Sequence, residues 1–104
     1  MGKTGDIYEL INLLVKALRH KIGSIVNSDE PYAEKYARDA DELIKQAKMI
    51  SLQTHLNNYD KLIIKTELKR KLRKELEEKE FLDEKKFEIM DEEIKSVLKE
   101  IGLD

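Results

Sequence analysis

The chain has 104 residues, a formal net charge of -2, 40% charged residues, one proline, four glycines and no cysteine. That length reads as one domain, and the shortage of turn residues argues against an all-β fold and for amphipathic helices. Without cysteine there are no disulfides, thiolate metal sites, iron–sulfur clusters or Cys nucleophiles.

The first helix is expected to open at Asp6, whose carboxylate and Glu9 form the two halves of an approximate capping box. Ile7, Leu10, Ile11, Leu14, Leu18, Ile22 and Ile25 then recur every three or four residues, within about 120° of one another on a helical wheel. Leu13, Val15 and Val26 widen that stripe, so this helix should be the most buried, with a stop near Asn27-Ser28 rather than at Gly23.

Ser28-Asp29-Glu30-Pro31 is a helix-start signal, because proline tolerates a first turn whose N–H groups lack partners. The second helix carries Ala33, Tyr36, Ala37, Ala40, Leu43, Ile44, Ala47 and Ile50 on one face. Its small residues predict the closest helix approach near Ala33, Ala37 and Ala40.

From Leu52 to Glu80 the pattern changes. Leu52, Leu56, Tyr59 and Ile63 share one face, while Ile64, Leu68, Leu72 and Leu76 share another that is roughly opposite. A break near Ser51 is predicted, and a second bend near Lys65 is left open. Ile64, Leu68, Leu72 and Leu76 form a candidate interface. They pack either on the last helix or on a second copy of the chain, which would then be a homodimer.

The last helix starts at Leu82-Asp83. Asp83 is the candidate cap, and Leu82 and Phe87 occupy the positions of a hydrophobic staple. Phe87, Met90, Ile94, Val97, Leu98 and Ile101 continue the stripe up to Gly102, which suits the position just past a helix end. The fold expected is a compact all-α bundle of four amphipathic helices with antiparallel neighbours, or five if Asp91-Glu92-Glu93 restarts the last one.

The densest chemical signal is basic. Residues 61–74 hold seven positive charges and one negative, and Lys69, Arg70, Arg73 and Lys74 are candidate nucleic-acid contacts through phosphate neutralisation. The competing reading pairs these cations internally, through Glu67–Lys71, Lys71–Glu75, Arg73–Glu77 and Lys74–Glu78. The run has no aromatic residue for base stacking and residues 75–104 carry a net -7, which favours pairing.

Glu75-x-x-Glu78 or Glu77-x-x-Glu80, followed by Glu88-x-x-Asp91, resembles the ExxE…ExxD pattern of the all-α NTP pyrophosphohydrolases. The resemblance covers about 17 residues and implies a helical bundle holding magnesium above a nucleotide triphosphate. Here the gap between the two halves is too short for two full facing helices, with Phe81-Leu82-Asp83 expected as a turn inside it. His20 and His55 are expected to be exposed or at the edge of an apolar face, and neither has a metal-site partner at helical spacing. Arg19-His20 are adjacent, so the Arg-before-His spacing of HEPN-type ribonucleases is missing, and Gly2-Lys3-Thr4 lacks the upstream strand of a phosphate-binding loop.

The first residues do not read as a signal peptide, and no apolar run reaches the length that spans a bilayer. The expected setting is the cytoplasm. Sixteen Lys and fourteen Glu against two Gln give a hyperthermophile-like bias. Taken together, these features point to a non-catalytic helical module without a cofactor or metal, whose partner is another protein or itself. Nucleic-acid binding and magnesium-dependent nucleotide hydrolysis are the alternatives.

Overall fold

A computed structural model describes residues 3–79 and 84–103. It contains α1 (Lys3–Val26), α2 (Ala33–Gln53), α3 (Asn58–Glu78) and α4 (Lys85–Glu100), and no strand among the described residues. At 1.5 Å per residue α1 is about 36 Å long, nearly the whole of the 40 Å long dimension of the molecule.

α1 starts three residues before the expected Asp6, so Asp6 lies inside the helix and does not cap it. Its Oδ2 instead accepts a hydrogen bond from the Thr54 hydroxyl at 3.2 Å. Upstream, Lys3 is held by Asp60 of α3, a contact that draws the extra turn into the helix. Leu10, Ile11, Leu14, Val15, Ala17, Leu18, Ile22 and Gly23 of α1 are buried, more than one stripe wide. Accordingly α1 packs against all three other helices.

The Ser28–Pro31 signal produces two successive turns rather than the first turn of α2. Glu30 N–H bonds to the Asn27 carbonyl and Ala33 N–H to the Glu30 carbonyl, both at 3.0 Å, and the helix follows from Ala33. The small-residue face of α2 makes its extensive contact with α1, with Ala33, Ala40, Ile44 and Ala47 buried there. The Tyr36 ring lies over Gly23, at whose position a Cβ would stand 3.5 Å from the ring.

The break expected near Ser51 falls slightly later. Thr54 is extended, and Asn57 restarts the chain with a reciprocal capping box. The Asn57 side chain accepts from Asp60 N–H at 2.8 Å, and the Asp60 carboxylate accepts from Asn57 N–H at 3.0 Å. No second bend occurs near Lys65, because α3 is continuous from Asn58 to Glu78. The opposed apolar faces are thus divided between two helices and their connection.

Ile64, Leu68, Leu72 and Leu76 are each 0% exposed within the single chain. The second-copy alternative for this row is therefore corrected: α1 and α4 cover it. The physical reason lies in its spacing. A strict four-residue row advances about 40° per step at 100° per residue, and so crosses from one neighbouring helix to the next along α3.

α4 is one helix through Asp91-Glu92-Glu93, so the fifth helix is not formed. A break there would take Met90 and Ile94, both buried, out of one stripe. The Leu82–Phe87 staple and the Asp83 cap lie outside the described residues. At the far end Gly102 has φ +82°, and Gly102 N–H and Leu103 N–H bond back to the carbonyls of Lys99 (3.2 Å) and Leu98 (2.7 Å). This is a Schellman cap, with Leu103 turned into the core. Lys86, itself buried, donates its Nζ to the Lys79 carbonyl at 2.8 Å and so closes the C-terminus of α3.

Truncating a side chain in the buried α3 row should leave a cavity between three helices. Leu72→Ala is expected to lower unfolding free energy by about 2–5 kcal/mol, whereas Leu52→Ala should stay within about 0.5 kcal/mol. Urea unfolding followed by far-ultraviolet circular dichroism measures both.

Candidate interaction site

The cations of α3 are largely committed to neighbours. Arg70 binds Glu67 through two hydrogen bonds, Nε to Oε2 at 2.8 Å and Nη2 to Oε1 at 3.0 Å. That contact holds the Glu67 carboxyl below its ordinary titration range and raises Arg70. Lys69 lies 3.4 Å from Asp91 of α4, and Arg73 lies 3.4 Å from Glu77 while its guanidinium stands over the Phe87 ring. Lys71 sits over the Tyr8 ring at 4.6 Å. Of the pairs expected from sequence, Arg73–Glu77 forms. Glu67 turns to Arg70, Lys71 to an aromatic ring of α1, and Glu75 to Arg19 of α1. Lys74 is exposed on the same helix.

The acidic pattern is dispersed in the same way. Glu75 faces α1, Glu77 serves Arg73, and Asp91 serves Lys69, while Glu80 lies outside the described residues. Among the described residues no three His, Asp or Glu side chains converge in an arrangement that could hold a metal ion. That holds for Glu75, Glu77, Glu78, Glu88 and Asp91, the described members of the set that the pyrophosphohydrolase resemblance implies.

His55 is exposed, in keeping with an edge position. His20 differs from its expected exposed place. It is half-buried between α1 and α2, with its ring centroid 4.9 Å from that of Tyr36 and its Nδ1 3.8 Å from Asp39 Oδ2. The partners come from another helix, so spacing along α1 could not reveal them.

A different surface draws large apolar side chains into solvent. Met49 and Leu52 at the end of α2, and Tyr59 and Leu62 at the start of α3, are all exposed, Leu52 by 74% and Tyr59 by 70%. Between these helix ends lie two adjoining hollows of about 360 and 290 Å³ that share Lys61, Gly102 and Leu103. Leu52 and His55 line one of them and Leu62 lines the other. The floor is the C-terminal cap of α4. It is pinned by the Ser51 hydroxyl, which donates to the Ile101 carbonyl at 3.1 Å, and by the positive φ of Gly102, which folds Leu103 back.

The α3 wall is fixed by the Asn57–Asp60 capping box and by Lys3, whose Nζ is 2.5 Å from Asp60 Oδ2. Sequence reading placed Leu52, Leu56, Tyr59 and Ile63 on one apolar face. Folding leaves Leu56 and Ile63 half-buried and the other two exposed. Leu62 and Met49 belonged to no predicted stripe, and that departure from periodicity was the one available signal. Compared with known proteins, the chain matches no family model, no curated protein and no solved structure.

The hydrogen bond from Lys3, with that from Asn57 N–H, holds the Asp60 carboxyl below the ordinary carboxylate range. A depressed folded-state pKa stabilises at pH values above the unfolded one, and this contribution is lost as pH falls through the acid range. Asp60→Asn should therefore reduce stability at pH 7 and flatten its decline between about pH 5 and 2, checked by melting temperature against pH.

Proposed function

We propose that the chain is a non-catalytic binding module, an antiparallel four-helix bundle that presents the α2–α3 groove to another protein. Consecutive helices run in opposite directions in this reading. The start of α1 lies beside the end of α2 (Asp6–Thr54) and the start of α3 (Lys3–Asp60), and the end of α2 lies beside that of α4 (Ser51–Ile101). The observation that carries the functional reading is the exposure of Met49, Leu52, Tyr59 and Leu62 at the facing ends of α2 and α3, with Leu52 and Leu62 lining the two adjoining hollows. A local apolar surface rimmed by polar groups is the usual mark of a partner site.

The occupant that fits is an apolar segment of a partner protein bearing carboxylates. Leu52 and Leu62 flank the groove, Lys61 borders both hollows, and the described lining residues include no Asp or Glu. A helix laid across such a groove would anchor through spaced apolar residues, with its acids meeting the lysine on the rim. The lack of cysteine suits a reducing compartment such as the cytoplasm, and no described helix is long and apolar enough to cross a membrane.

Panning the protein against a phage-displayed library of random 16-residue peptides tests this reading. Enriched peptides should combine Leu, Ile or Phe with Asp or Glu, and their affinity should fall by about tenfold or more for Leu62→Asp with an unchanged melting curve. Lys61→Glu should weaken them as well. No enrichment, or peptides that bind Leu52→Asp and Leu62→Asp as well as wild type, would remove the groove as the working surface.

A further inference from the structure

Away from the groove, between α1 and the earlier part of α2, one titratable ring is half-buried with a nitrogen that makes no hydrogen bond. His20 sits between α1 and α2 beside a hollow of about 330 Å³ lined by Lys16, His20, Asp39, Glu42, Leu43 and Gln46. Its ring packs on Tyr36, which packs in turn on Tyr32 at the N-cap of α2. Nδ1 is shut off from solvent and makes no hydrogen bond, and the nearest acid, Asp39, is at 3.8 Å, beyond hydrogen-bond reach.

A neutral imidazole can leave one nitrogen without a proton, but an imidazolium has two N–H donors that both require acceptors. A charge on this ring also meets more cations than anions. Arg19 and Lys16 act on it from α1 and Lys35 from α2, against Asp39 on the favourable side, with Glu42 further along the hollow. The acids that α3 and α4 turn toward this stretch of α1, Glu75 and Glu93, are paired with Arg19 and Lys21.

We propose that His20 makes the α1–α2 pairing acid-labile: protonation loosens the N-terminal part of α2, residues 33–40, from α1 while α1, α3 and α4 stay packed. The place of release follows from the contacts. This part of α2 is held by Tyr36 over Gly23, by Ala33 and Ala40 against α1, and by the Asn27 side-chain amide, which donates to the Tyr32 hydroxyl at 3.2 Å. The other end of α2 has separate anchors, Thr54 on Asp6 and Ser51 on Ile101.

The sign agrees with the direction of titration. Burial first, then Arg19, press the His20 imidazolium toward losing its proton, so the opened state binds the proton more tightly than the closed one. Closure is thus favoured above the free-histidine value near pH 6.5 and weakens as pH falls through it.

Amide hydrogen exchange of the full chain between pH 7.5 and 5.5, corrected for intrinsic rates, tests the proposal alongside an NMR titration of the His20 ring. The expected result is loss of protection across residues 33–40 on acidification, with α3 and α4 unchanged. His20 should titrate below the free-histidine value. The loss should vanish in His20→Gln and persist in His55→Gln. Asp39→Asn should push the His20 titration lower still, which keeps the test open if His20→Gln does not fold. A His20 titration at or above the free value would overturn the proposal. So would protection in 33–40 that does not change with pH, or loss that is equal in His20→Gln or spread evenly over all four helices.

Discussion

Burial of α1 on several sides governs the rest of the structure. Leu10, Ile11, Leu14, Val15, Leu18 and Ile22 cover too wide an arc to be satisfied by one neighbour, and the chain meets that demand by laying three helices around a fourth. An apolar stripe wider than a single seam stabilises only when more than one element shields it from water. The α3 row from Ile64 to Leu76 answers the same need from the other side. Its four-residue spacing carries it across α3, so that one helix serves both α1 and α4.

Polar contacts then decide where the helices stop and how their ends meet. The Asn57–Asp60 box restarts the chain after four non-helical residues, and Lys3 ties that start to the beginning of α1. Lys86 closes the end of α3, and the Schellman cap at Gly102 turns Leu103 inward. These end contacts shape the groove: two helix termini and a C-terminal cap meet with Leu52 and Leu62 still facing water. In the proposed role, a rigid frame built by caps presents an apolar surface at low ordering cost to the module itself.

The abundant charges show how spacing along one helix can name the wrong partners. In the basic run of α3, Lys69, Arg70 and Arg73 each lie against an acid, and Lys71 lies over an aromatic ring. Arg73–Glu77 keeps the expected four-residue spacing, whereas Arg70 takes Glu67 at three residues, Lys69 takes Asp91 of α4, Lys71 takes Tyr8, and Glu75 takes Arg19 of α1. Long side chains choose among all acceptors within reach, and tertiary neighbours compete with local ones. His20 is the same case with a different outcome. Its cross-helix neighbours give a ring on the polar flank of α1 a half-buried place beside Tyr36 and Asp39.

By itself the sequence determined the all-helical class, the wide apolar face of α1, the small-residue face of α2, the α4 stripe and the glycine at its end. Each is set by local periodicity or by a residue's own backbone preference, which act over a few turns. It left the fate of Ile64, Leu68, Leu72 and Leu76 open, because one apolar row suits an intramolecular neighbour and a second copy equally well. It also missed the restart at Asn57, a short reciprocal contact masked by the apolar residues on either side. Only the tertiary structure decided that α1 and α4 bury the row, that Met49, Leu52, Tyr59 and Leu62 stay exposed, and that His20 lies against α2. Those outcomes depend on which faces meet after the turns are made, and that is settled by the joint packing of all four helices rather than by any one of them.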